Sequence, residues 1–131
     1  MRSERLTIDT AGLRVVDVTD RVAGVVAGDG LVHLFLMHAT AGLALIETGA
    51  GSEEDLERAV ERLFPRDDSY RHAHGSPGHG ADHILPAFVS PSLVVPVRGG
   101  VLELGTWQRI VVVDPNRQND RRTLLVSLIG S

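Results

Sequence analysis

The chain has 131 residues, no cysteine and a net charge of −4 at pH 7. The lack of cysteine excludes a disulfide framework, a thiolate metal site and a cysteine nucleophile. The negative charge argues against a nucleic-acid-binding protein, which normally carries a basic face. Apolar content of 43% and charged content of 23% are typical of one globular domain, residues 1–131. Because neither a membrane-spanning apolar run nor a signal peptide is evident, we expect a cytoplasmic protein without a membrane partner.

The first half of the chain predicts four strands. Residues 6–10 and 13–19 flank a turn-forming Ala-Gly pair and are typical of a β-hairpin. Residues 31–38 are almost continuously apolar, which predicts a central strand covered on both faces. Residues 42–47 form a second apolar run of the same kind. A hairpin between these last two runs is one interpretation.

Two helices are expected in the same half. A short helix is predicted over 20–30. A second helix follows, in which Ser52 and Asp55 have the spacing of a capping box and Pro65 ends the helix. One apolar stripe at helical spacing predicts that this helix packs on a sheet. The stripe consists of Leu56, Ala59, Val60, Leu63 and Phe64.

The second half is rich in β-strand signals. A short helix is expected over 83–89, strands over 92–97, 101–114 and 122–130, and a tight turn at Gly99-Gly100. The whole pattern predicts an α+β fold with largely antiparallel sheets and two or three helices.

The segment YRHAHGSPGHGADH, residues 70–83, holds four of the six histidines. His72 and His74 would point the same way in an extended segment. His79 and His83 are four residues apart and would share one face of a helix, a spacing found in metal-binding helices. The segment is interpreted either as one wall of a metal or catalytic site or as a polar surface loop.

Two further polar residues stand at the ends of apolar runs. His38 follows the first run, either as a site residue or as a histidine satisfied at the edge of the core. Glu47 follows four apolar residues, and its burial would require a partner; the alternative is an exposed strand end. In a hairpin of the two runs, His38 and Glu47 lie at opposite ends and meet only across a neighbouring strand or subunit.

The string GTWQ, residues 105–108, interrupts a strand-like run and carries the only tryptophan. Gln108 offers both a donor and an acceptor to a ligand, while Trp107 either contacts a ligand or covers the sheet. No glycine pattern for binding a nucleotide is present, so no organic cofactor is indicated.

Taken together, these motifs resemble the YjbQ family, known as secondary thiamine-phosphate synthase enzymes. The resemblance covers essentially the whole chain. It rests on HATA (38–41), Glu47, Tyr70-Arg71-His72, Gly78 with His83, VPV (95–97) and GTWQRI (105–110).

The resemblance implies a trimeric domain with a histidine-lined site near subunit boundaries. It implies that His38, His72 and His83 hold a divalent metal, zinc or magnesium. It further implies a transferase acting on a phosphorylated small molecule, with thiamine phosphate as the product. For such an enzyme we expect Glu47, His79 and Gln108 as catalytic residues, with His79 or Glu47 moving protons, and Thr40, Arg71, Trp107 and Gln108 as substrate-binding residues.

The sequence departs from the family pattern at four positions. Ala39 replaces a threonine, His79 replaces an asparagine, and Asp114 and Asn116 stand where other acidic residues are usual. These changes leave the natural substrate and retained activity open. Two other interpretations therefore remain: a non-catalytic metal- or ligand-binding homotrimer, and a structural oligomer with an incidental histidine-rich loop.

Overall fold

The computed structural model describes residues 1–67, 69–72, 78–116 and 120–130. In this part of the chain it contains eight strands and three α-helices. A short 3-10 helix, Leu85–Ala87, directly follows the third α-helix. The helices are α1 Thr19–Ala23, α2 Ser52–Leu63 and α3 His79–Ile84. The strands are β1 Arg2–Asp9, β2 Val15–Asp17, β3 Gly30–Leu36, β4 Gly42–Ile46, β5 Ser92–Arg98, β6 Val101–Leu102, β7 Arg109–Val113 and β8 Arg121–Ile129. The expected α+β fold is confirmed.

The strands form two antiparallel sheets. The larger sheet has the order β1-β8-β3-β5-β6, and the smaller has the order β2-β7-β4. β3 is central in the larger sheet, as predicted, and the predicted turn at Gly99-Gly100 joins β5 to β6. The described helices are all too short or too polar to cross a bilayer.

The core has two parts, one on each face of β7. Ile110 and Val112 belong to the main core, which includes Val32, Leu34 and other buried residues of the larger sheet. Val111 and Val113 pack with residues of α2 and of the 3-10 helix in a second cluster, whose other buried members are Val15, Val60 and Leu85. β7 is therefore the strand with both faces covered, which explains its unbroken apolar sequence.

The prediction that β3 is covered on both faces is wrong for the single chain. Val32, Leu34 and Leu36 are buried, whereas Leu31 and Phe35 are 44% and 38% exposed. Apolar residues on both faces cannot reveal from sequence whether the second face is covered by the same chain.

Neither interpretation of consecutive strands as hairpins is correct. A tight turn does form at Ala11-Gly12, where both residues have positive φ. However, β1 pairs with β8 in the larger sheet and β2 pairs with β7 in the smaller one. β3 and β4 likewise belong to different sheets. In both cases the chain crosses between sheets, because each strand finds its partner in the C-terminal half.

The helix boundaries differ from those expected. α1 ends at Ala23 rather than near residue 30. α2 has Gly51, not Ser52, at its N-cap, so the predicted capping box is absent; the Glu53 carboxylate instead accepts a hydrogen bond from the Gly49 backbone at 2.7 Å. The helix expected over 83–89 begins earlier, as α3, and Pro86 lies in the first turn of the 3-10 helix, where its missing N–H costs little.

Candidate functional site

Three histidines come together at the start of α3. His79 and His83 lie one turn apart on this helix, and their Nε2 atoms are 2.7 Å from each other. The ring of His72, from the segment before the helix, has its centroid 4.5 Å from that of His83 and 6.1 Å from that of His79. One nitrogen from each ring lies within 4.8 Å of the others. The predicted shared face of His79 and His83 is confirmed, while His74 lies outside the described residues.

We call His72, His79 and His83 the histidine trio. His79 and His83 are half-buried and His72 is exposed, so the trio forms a site that opens to solvent. Neutral imidazoles at this separation are suitable ligands for zinc and similar metals. His79 therefore belongs geometrically with the ligand candidates rather than apart from them as a proton-transfer residue.

An ion pair between Arg66 and Asp82 holds α3 in place. Asp82, which lies on the helix between the two histidines, is 1% exposed and pairs with the Arg66 guanidinium. Arg66 also donates to the backbone oxygen of Pro115 at 3.2 Å. Burial raises the pKa of Asp82, and the positive charge of Arg66, with a smaller electrostatic effect of His79, opposes that rise. The pair thus anchors the helix to the end of β7.

His38 lies beside a second buried ion pair, between Asp114 and Arg122. The Arg122 guanidinium also donates to the backbone oxygens of Arg121 and Asn116, at 3.0 and 3.2 Å. Burial lowers the pKa of His38, the positive charge of Arg122 lowers it further, and the Asp114 carboxylate opposes both. The imidazole therefore favours its neutral form.

The structure places His38 at the same end of the molecule as the histidine trio but outside it. The Asp114 carboxylate interacts electrostatically with both His38 and Asp82, which links the two regions. Among the described residues, the only group with three potential ligands in close reach is the trio itself. Thr40 is buried at 8% exposure, and Arg71 is exposed next to His72.

Glu47, Trp107 and Gln108 lie at the opposite end of the smaller sheet. The register pairs Gly42 with Val113 at one end and Ile46 with Arg109 at the other. Glu47 thus follows the end of β4 beside the turn that carries Trp107 and Gln108. The six residue steps from Gln108 to Asp114 span about 20 Å at about 3.3 Å per residue. Within one chain, these residues and the trio are separate groups.

The turn at 105–108 presents Trp107 to solvent. The Gly105 backbone N–H donates to the Gln108 side-chain oxygen at 2.8 Å, and the Gln108 N–H donates to the Gly105 oxygen at 3.0 Å. Trp107 is 71% exposed, so the alternative in which it covers the sheet is wrong. Glu47 is also exposed, as its alternative interpretation stated.

Sequence reasoning missed Arg66, Asp82 and Arg122. Asp114 was recognised only as a departure from a motif, although it follows four apolar residues just as Glu47 does. The Asp114 carboxylate is buried and paired with Arg122, whereas the same pattern at Glu47 ends in an exposed carboxylate. The pattern alone therefore does not reveal whether the carboxylate is buried. The sequence indication for Asp82 is its position, one turn after His79 on the same short helix.

Comparisons with known proteins agree with this fold. A family model described as UPF0047 protein YjbQ-like matches residues 4–131. A UPF0047 protein of Mycobacterium tuberculosis is 58% identical over 131 residues, covering 98% of each chain. The UPF0047 protein YjbQ of Salmonella typhimurium is 32% identical over 116 residues, covering 87% of this chain and 84% of its own.

Solved structures give the same result. A YbjQ-like protein of Sulfolobus solfataricus superposes with a TM-score of 0.91 at 27% identity, covering 99% of this chain and 97% of its own. A hypothetical protein of Aeropyrum pernix has a TM-score of 0.88 at 29% identity and covers both chains completely. Because the family model matches nearly its whole length, the chain belongs to the UPF0047 (YjbQ-like) family.

Proposed function

We propose that this protein is a metal-dependent enzyme that acts on a phosphorylated small molecule at the histidine trio. The observation that carries the proposal is the convergence of His72, His79 and His83, whose ligand atoms all lie within 4.8 Å of one another. The resemblance to secondary thiamine-phosphate synthases makes a transferase that forms thiamine phosphate the specific version of this proposal.

The donor set fits zinc better than magnesium. Zinc accepts three imidazoles at about 2.0–2.1 Å and leaves a fourth position open in catalytic sites, whereas magnesium prefers oxygen ligands. Tetrahedral ligands at that distance are about 3.3 Å apart, so the 2.7 Å between the Nε2 atoms of His79 and His83 needs to widen only slightly. When bound, zinc would supply a Lewis acid for a phosphoryl oxygen. His38, outside the trio, is replaced by His79 in our assignment of ligands.

The chain's own residues suggest how the substrate is held. Arg71 is exposed beside His72, and its guanidinium has the geometry to bind a phosphate in a bidentate manner. Trp107 offers an exposed ring face for stacking, and the amide NH₂ of Gln108 is a donor, because its oxygen already accepts from Gly105. Glu47 is the exposed carboxylate beside Trp107 and Gln108, and it is the candidate for proton transfer.

Because Glu47, Trp107 and Gln108 are about 20 Å from the trio end of β7, a complete site requires more than one chain. We propose the homotrimer that the resemblance implies, with the trio of one subunit facing Glu47 and Trp107 of another. An exposed apolar surface supports self-association. It lies on the outer face of the larger sheet and consists of Leu31, Phe35, Val94 and Ile129. A cytoplasmic location, without nucleic-acid or membrane partners, remains part of the proposal.

The alternative function is a metal- or ligand-binding trimer without catalysis. The position of Glu47 favours it, because this carboxylate lies at the end of the smaller sheet opposite to the trio. In this alternative the trio binds metal, but no proton-transfer group acts on a substrate at the metal.

Complementation and metal analysis separate these functions. Protein without a His tag is analysed for zinc, and the gene is expressed in a thiamine-requiring strain that lacks its main thiamine-phosphate synthase. We expect one zinc per chain and rescue of growth. His83→Ala should lose both, Glu47→Gln should lose rescue alone, and the control Glu54→Gln, which changes an exposed carboxylate on α2, should lose neither. Zinc binding without rescue would favour the alternative, and rescue that survives both substitutions would contradict the site.

A further inference from the structure

α3 carries a glycine that its backbone conformation does not require. Gly80 lies inside the six-residue helix and has no positive φ. Glycine inside a helix costs about 0.5–1 kcal/mol relative to alanine. A glycine in such a position usually has a packing or functional reason.

The reason here is the close approach of the segment that carries His72. A Cβ atom added to Gly80 would lie 2.5 Å from the backbone oxygen of His72 and 2.7 Å from Cβ of Tyr70. Contacts between real Cβ atoms and their neighbours are essentially never this short. Tyr70 and the His72 backbone therefore lie in a space that only glycine leaves open.

Because His72 belongs to this segment, any movement of the segment away from the helix also moves His72. The Arg66–Asp82 ion pair and the bond from Arg66 to Pro115 hold α3 on its other side. Added volume at Gly80 consequently displaces the Tyr70–His72 segment rather than the helix. His79 and His83, both on the helix, keep their mutual geometry.

We propose that Gly80 is a positioning residue of the histidine trio: it lets the His72 backbone lie directly against α3, so that the His72 ring reaches His79 and His83. This inference rests on the proposed metal centre and adds the device that assembles its third ligand. Gly80→Ala should convert a three-histidine centre into one with the two helix histidines.

The test compares Gly80→Ala with Gly24→Ala, each alone and combined with His72→Ala, in the full-length protein. Gly24 is the matched control, because a Cβ there meets only backbone oxygens at 3.5 and 3.6 Å, an ordinary contact distance. Zinc affinity is measured by competition, and Co²⁺ absorption reports the number and geometry of ligands. Misplacing a group that orients a metal ligand typically weakens binding about 10- to 100-fold.

We expect Gly80→Ala to weaken zinc binding by that factor and to change the Co²⁺ spectrum, while Gly24→Ala does neither. In the His72→Ala background, Gly80→Ala should cause no further loss. Unchanged affinity in Gly80→Ala, or an equal loss in both backgrounds, would overturn the proposal. If Gly80→Ala fails to fold, Tyr70→Ala is tested instead, because removing the Tyr70 ring loosens the same segment. Tyr70→Ala should also weaken zinc binding, and only when His72 is present.

Absence of zinc binding by the wild-type protein would refute the proposed metal centre and still leave the positioning role testable. The imidazole NMR signals of His72 should then shift in Gly80→Ala and stay in place in Gly24→Ala. Unshifted His72 signals in Gly80→Ala would overturn the positioning role itself.

Discussion

Asp114 and Arg122 form an ion pair in which each side chain is only 1% exposed. The Asp114 carboxylate also accepts a hydrogen bond from the Asn116 backbone at 3.0 Å. This pair joins the end of β7 to the start of β8, beside His38. A buried pair of this kind specifies how the two strands meet, but its net stabilising effect is small because both charges lose their hydration.

We predict that Arg122→Met costs about 3–5 kcal/mol of unfolding free energy, because it leaves the Asp114 carboxylate buried without its partner. The double substitution Arg122→Met/Asp114→Leu should cost less than the single one. Urea denaturation measures both. Arg98→Ala is the control, since the Arg98–Glu103 pair is largely exposed, and it should leave the midpoint unchanged. A single substitution milder than the double one would contradict this account.

The environment of His38 predicts a pH dependence of stability. Burial, with a further contribution from Arg122, lowers the pKa of folded His38 below its usual 6.5. The unfolded chain therefore binds the proton more readily than the folded one. The stabilisation is present above pH 6.5 and is lost as the pH falls through the folded-state pKa. His38→Asn should flatten this acid-side decline in urea midpoints, and an unchanged slope would show that the His38 environment is wrongly described.

The outer face of the larger sheet provides a test of self-association. Phe35 is 38% exposed and belongs to the apolar patch on this face, so Phe35→Glu should place a charge in the proposed subunit contact. We expect sedimentation analysis to give a trimer for the wild-type protein and a smaller species for the variant. Leu63→Glu is the control, because Leu63 is 71% exposed on α2 and lies outside this patch. A trimer that tolerates Phe35→Glu would place the contact elsewhere.

Local patterns in the sequence predicted the structure well where neighbouring residues decide it. The spacing of His79 and His83 fixes their shared helix face, and Gly99-Gly100 fixes the turn between β5 and β6. Predictions failed where contacts between distant parts of the chain determine the structure. β2 and β4 pair with β7 rather than with their sequence neighbours, because alternation identifies a strand but not its partner.

The candidate site divides in the same way. His72 and His83 were predicted as ligands, and their convergence required only that the segment before α3 fold back on it. His38 was predicted with them but lies beside Asp114 and Arg122. That ion pair joins residues from two strands, and no local spacing reveals such a contact.

X-ray absorption spectroscopy of zinc-loaded protein without a His tag tests the three-histidine metal centre, because it counts the metal ligands and measures their distances. A three-histidine centre predicts one zinc per chain with three imidazole nitrogens at about 2.0–2.1 Å. It also predicts that His38→Asn leaves the spectrum unchanged and that His72→Ala removes one imidazole. Failure to retain zinc, or a spectrum dominated by oxygen ligands, would contradict the three-histidine centre.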